Sequence, residues 1–196
     1  EFCDANLGPQ VQIGVLGVSL GGPHALALLG DAELSQRIRA ATLVSPWLPF
    51  DSCDENPWFL KLAHKLPGSV QEVVIPSVVN SFISLSLGLA GSISLSAASD
   101  QLVAKKHIMD FAKHQGQDGN RQMIRIALQK IDVPDLPSTI QTVHIFHGRK
   151  DQLVSEGSCQ KLVDEWKGRA VLHSVEDTDH NTVMLGERLH TVLITL

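Results

Sequence analysis

Residues 11–18 are largely apolar, Gly17-Val18-Ser19-Leu20-Gly21 lies at their end, and Gly22-Pro23-His24-Ala25-Leu26-Ala27-Leu28-Leu29 follows with the composition of a helix. A G-x-S-x-G spelling in that setting constrains the chain more than any other feature, because it demands a sharp junction between a buried strand and a helix packed on the sheet. A serine hydroxyl becomes a useful nucleophile only when it is exposed, close to a base and next to donors for an oxyanion, and such a turn supplies the exposure. Gly17 and Gly21 are read as removing side chains where helix and strand approach, and Gly22 extends that tolerance. Pro23 fits the first helical turn, where its missing N–H is no loss. The backbone N–H of Leu20 and the positive end of the helix are expected to face negative charge developing beside Ser19.

A base and an acid are then sought at the same sheet edge. Thr142-Val143-His144-Ile145-Phe146-His147-Gly148 reads as a buried strand ending in a turn, which puts Asp151 just past its C-terminal end. Active sites of open parallel sheets form there. A further run at 170–175 leads into Glu176-Asp177-Thr178-Asp179-His180-Asn181, and a helical stretch is expected over 182–196. His180 therefore sits on a loop at that edge, where it takes the proton of Ser19 while Asp151 orients its ring. Asp51, Asp177 and Asp179 compete for the acid role. The last two are disfavoured because neighbours of a histidine on a short loop struggle to reach its far ring nitrogen.

The turn around Ser19, the run from His147 to Val154 and the loop from Asp177 to Val183 together make the chain resemble the C-terminal two-thirds of an alpha/beta-hydrolase-fold protein of the lid-bearing serine esterase and lipase type. The resemblance implies an α/β fold with a mostly parallel sheet and an inserted helical lid. It implies a Ser19–His180–Asp151 triad that cleaves carboxylic esters of apolar acyl groups through an acyl-enzyme, with Leu20 in the oxyanion hole. Acyl transfer, carbon–carbon bond hydrolysis and a non-catalytic binding role are the alternatives. It also places the acid after the strand at 142–146, which favours Asp151 over Asp51. Asp179 stands where that family usually has glycine, and is expected to crowd the loop or to bring a second carboxylate near the ring. The family's first strands, and the loop that gives its second oxyanion donor, have no counterpart. Ten residues before the first strand are too few for a βαβ unit, so the chain is read as a fragment.

Four strand candidates, 11–18, 40–45, 142–146 and 170–175, bracket a block too long for a crossover. The expected organisation is a core of residues 1–50 and 138–196 and a helical lid over 51–137, within which 58–63 and 101–108 have helical spacing. Pro134, Pro137 and Ser138 mark the return to the sheet. Residues 73–99 carry no charge, yet Pro76, Asn80, Gly88 and Gly91 make them only moderately apolar. They are read as lid packing, with an acyl-binding wall and a membrane-surface contact as the other readings and a membrane span set aside.

Net charge near −5, with no basic cluster, argues against nucleic acid as a partner. The expected partner is a small apolar ester. Cys3, Cys53 and Cys159 lie far apart without metal-ligand spacing, an odd count read as buried or free thiols in a reducing compartment and hence a cytoplasmic protein, with one disulfide as the alternative. His144 and His147, three apart on a strand, point to opposite faces. No metal or cofactor is expected, the His147-Gly148 pair is assigned to the acid turn, and His24 is read as a packed helix residue.

Overall fold

The computed structural model describes residues 8, 11–48, 65–67, 70, 132–180, 182–184 and 191–194. Nearly all of the expected lid, including 58–63, 73–99 and 101–108, lies outside the described residues, as do Asp51, Cys3 and Cys53. The chain divides into two units, Glu1–Glu55 with Lys130–Leu196, and Asn56–Gln129. Of the second, the described residues form one short turn, with the Val70 N–H donating to the Pro67 carbonyl at 2.8 Å.

Four parallel strands form one sheet in chain order: β1 (Ile13–Val18), β2 (Ile38–Val44), β3 (Val143–Gly148) and β4 (Ala170–Val175). Each expected strand is present, the fourth with its bounds unchanged and the other three with shifted ends. β1 starts two residues late, where Ile13 pairs with Ile38 at a register shift, and the Val11 N–H turns back to the Gly8 carbonyl. β2 starts two residues early because Ile38 is buried in the core beside that pairing.

The register sorts side chains into two faces, since partners in a parallel ladder point the same way. Val15, Ala41, Val143 and Ala170 form one row, and Gly17, Leu43, Ile145 and Leu172 the next. This face is covered by α1 (Gly21–Gly30) and α2 (Glu156–Glu165), whose Ala25, Leu26, Leu29, Cys159 and Leu162 complete the main core with Trp166. Of the five buried residues of α1, Gly22, Ala25, Leu26 and Leu29 follow helical spacing, with Pro23 in the first turn beside them. His24 falls on the opposite side and is exposed, which corrects its reading as a packed residue. The Ser155 hydroxyl caps α2 by accepting from the Ser158 N–H at 3.1 Å, a contact typically worth about 1 kcal/mol.

On the other face, Val44 and Phe146 pack with Val183 and Val192. Of the expected helix over 182–196, the described residues show a 3-10 turn at Thr182–Met184 and helical residues 191–193. His144 and His173 meet on this face at 2.9 Å, while His147 is buried on the other. The return segment before β3 is tied down through its carbonyls. Trp166 Nε1 donates to Pro134, and the Arg169 guanidinium donates to Leu136, Pro137 and Ile140.

Candidate active site

Ser19 links β1 to α1 with a φ of 51°, in the left-handed region that side chains other than glycine rarely enter. Such a conformation persists only where its surroundings hold it. Here the Ser19 N–H donates to the Val44 carbonyl at 2.9 Å, and the Ser19 carbonyl accepts from Gly22 and Trp47 N–H groups at 2.9 and 2.8 Å. Close packing completes the restraint. A Cβ at Gly17 would lie 2.8 Å from the Ala25 Cβ and 2.9 Å from Leu43 Cδ2, and one at Gly22 would lie 2.9 Å from the Pro46 Cβ. Gly21 differs: a Cβ there meets nothing within 4 Å, so the steric role read for the second motif glycine belongs to Gly22 instead. Leu20 is the N-cap residue of α1, directly behind Ser19.

The acid turn follows β3. Asp151 Oδ1 accepts from the Leu153 and Val154 N–H groups at 2.8 and 3.0 Å, an arrangement that bends the chain back toward α2. Its Oδ2 lies 2.8 Å from His180 Nδ1, and the side chain is fully buried. Burial opposes the charged form, but the hydrogen bond and charge of His180, with the two backbone N–H groups, outweigh it and hold the carboxyl below its ordinary 3.8.

His180 Nε2 lies 2.8 Å from Ser19 Oγ. Because the ionised carboxylate can only accept, Nδ1 carries the proton and Nε2 presents its lone pair to the serine hydroxyl. The loop around His180 is secured from both sides. Thr178, fully buried, accepts at its carbonyl from the Lys150 N–H at 2.8 Å and donates from Oγ1 to Val175 at 2.8 Å. Asp179 Oδ1 accepts from the Thr182 N–H and hydroxyl, both at 2.9 Å. Asp179 thus caps the following turn, which gives its carboxylate work that neither expected reading foresaw.

Two residues that the sequence assigns only to the acid turn make contacts its spelling does not show. Gly148 ends β3 where a Cβ would lie 2.6 Å from the Thr178 carbonyl and 2.9 Å from that of Asp179, so the acid turn and histidine loop touch only because it has no side chain. His147, one residue earlier, is buried with Nε2 on the Val154 carbonyl at 2.8 Å. Its place in an apolar strand ending was the available signal. Among the described residues, no group of three or more His, Cys, Asp or Glu side chains is placed to hold a metal ion, and no helix is long and apolar enough to cross a membrane.

A family model for the alpha/beta hydrolase fold matches residues 5–187. A search of curated proteins returned no match. Solved structures similar to the chain include an esterase from Thermogutta terrifontis, 16% identical with a TM-score of 0.59, over 98% of this chain and 66% of that one. A 2-hydroxy-6-oxo-6-phenylhexa-2,4-dienoate hydrolase from Rhodococcus sp. strain RHA1 is 16% identical with a TM-score of 0.56, over 96% and 64%. A bromoperoxidase from Bacillus anthracis is 15% identical with a TM-score of 0.61, over 94% and 67%. The chain thus spans about two thirds of the length of these structures, and slightly less in the first two.

Proposed function

The chain belongs to the alpha/beta hydrolase fold family, and from that premise we propose that it is a serine hydrolase of carboxylic esters, with Ser19 as nucleophile, His180 as general base and Asp151 as the acid. The observation that carries this reading is the unbroken run from Ser19 Oγ to His180 Nε2 and from His180 Nδ1 to Asp151 Oδ2, each step 2.8 Å, ending on a serine in a strained turn.

Ser19 Oγ attacks the ester carbonyl as its proton passes to His180 Nε2, and the Asp151 carboxylate stabilises the imidazolium. The Leu20 N–H, at the positive end of α1, donates to the oxyanion. Collapse of the tetrahedral intermediate breaks the bond to the alcohol, which leaves with the proton from His180. Water, deprotonated by His180, then attacks the acyl-enzyme and releases the acid. Each methylene of an acyl chain buried on binding contributes about 0.8 kcal/mol. Activity then rises from acetyl to longer p-nitrophenyl esters.

Acyl transfer and carbon–carbon bond hydrolysis use the same three roles. A substrate panel with alcohol acceptors and vinylogous diketones separates them from ester hydrolysis. The direct test is labelling of the full-length protein by a fluorophosphonate probe. The probe is expected to attach at Ser19 and to leave Ser19→Ala unlabelled. Equal labelling of that variant overturns the assignment.

A further inference from the structure

We propose that His147 is a positioning residue for Asp151: its Nε2–H fixes the Val154 carbonyl, and with it the turn that aims Asp151 Oδ2 at His180. The proposal rests on the reading of Ser19, His180 and Asp151 as a triad.

His147 is 2% exposed, on the penultimate position of β3. Its Nε2 lies 2.8 Å from the Val154 carbonyl oxygen. A carbonyl only accepts, so Nε2 carries the proton. Nδ1 is buried with no hydrogen-bond partner among the described residues. Packing alone therefore does not account for an imidazole here, since leucine has comparable bulk and leaves no buried nitrogen unpaired. What leucine lacks is the Nε2–H.

That donor closes a small ring of chain from His147 to Val154, with Asp151 inside it. Val154 is held at both ends, its N–H by Asp151 Oδ1 at 3.0 Å and its carbonyl by His147. Leu153 N–H takes a second place on Oδ1 at 2.8 Å. With Oδ1 engaged twice by backbone, the carboxylate is rotationally fixed and Oδ2 faces His180 Nδ1 at 2.8 Å. His147 Nε2 is also 3.9 Å from Oδ2, which puts the positive end of its N–H dipole beside the charge that His180 needs. Without that bond the Val154 peptide is free to turn, and the carboxylate follows it. A shift of about 1 Å at such a position is enough to lower turnover roughly a hundredfold.

The test uses p-nitrophenyl butyrate and the full-length protein. His147→Leu is expected to lower kcat by about a hundredfold with KM little changed. His147→Gln, whose side-chain amide N–H falls near the Nε2 position, is expected to recover most of that loss. The far-downfield proton resonance of His180 Nδ1–H should persist in the wild type and the glutamine variant and vanish in the leucine variant. If the leucine variant does not fold, His147→Asn replaces it, because the shorter amide stops at the Nδ1 position, and it should show the same loss. Wild-type kcat in His147→Leu or His147→Asn overturns the proposal. So does a glutamine variant no better than these in kcat. Failure of the triad reading shows separately, as wild-type turnover in Ser19→Ala or Asp151→Asn.

Discussion

The two ends of the candidate site are held by different forces. At the nucleophile end, Ser19 is held in a left-handed conformation amid close packing, where no Cβ fits at Gly17, against Ala25 of α1 and Leu43 of β2, or at Gly22, against Pro46. At the acid and histidine end, polar contacts dominate: Asp151 accepts two backbone N–H groups and a ring N–H, Thr178 and Asp179 bond their own loop, and only Gly148 marks a tight steric contact. The exposed ion pairs Arg149–Glu176 and Lys150–Asp177, both at 2.9 Å, span the same two loops but add little in water. A nucleophile must keep one fixed place, which close packing secures together with three backbone hydrogen bonds of Ser19. The acid and base must hold direction and charge, which hydrogen bonds secure.

Substitutions at the two ends should therefore fail differently. Asp151→Asn keeps the shape of the side chain but removes the charge and favours the wrong ring tautomer, so kcat should fall about 10⁴-fold with folding nearly intact. Steady-state kinetics beside a thermal melt checks both halves of that statement. At the steric end, Gly17→Ala forces a methyl into a space already filled by Ala25 and Leu43. It should cost about 1–3 kcal/mol of stability, read from chemical denaturation. Gly21→Ala is the matched control, since its Cβ meets nothing, and should change stability by less than about 0.5 kcal/mol. A Gly21→Ala variant as unstable as Gly17→Ala would dissolve the distinction.

The smallest effect lies away from the site. Burial and the neighbouring charge of His144 hold His173 below its ordinary 6.5. A histidine lowered in this way binds fewer protons folded than unfolded, so stability declines as pH falls below 6.5 and levels off once the folded value is passed. Asp151 has the same sign at lower pH: its contribution is full above the unfolded carboxyl value of 3.8 and is lost as pH falls through the lower folded value. Denaturation at a series of pH values should show a shallower slope below 6.5 in His173→Gln.

Much of this architecture is legible in the amino-acid sequence because the informative residues sit at strand ends. Four apolar runs name the strands, and the groups that meet stand just beyond three of them: Ser19 after β1, Asp151 after β3 and His180 after β4. The expected fold class, an α/β parallel sheet of the alpha/beta hydrolase type, stands on the same pattern. Contacts between loops are less legible. Nothing in the spelling of Gly148 tells that Thr178 lies against it, since 30 residues of chain separate them. Asp179 looks like an extra carboxylate until Thr182 is seen on it, and Gly21 looks like its neighbour Gly22 until the room around each is known. The expectation of a helical lid over 51–137 rests on the periodicity of 58–63 and 101–108, which lie outside the described residues.

The central claim is that Ser19, His180 and Asp151 work as one unit, and non-additivity tests it most directly. Residues acting in a single relay cost about as much when one is removed as when several are. We expect Ser19→Ala and His180→Ala each to lower kcat/KM for a p-nitrophenyl ester by several orders of magnitude, and the double variant to be no worse than either single one. Losses that multiply in the double variant would show that the two side chains act independently, and would contradict the account.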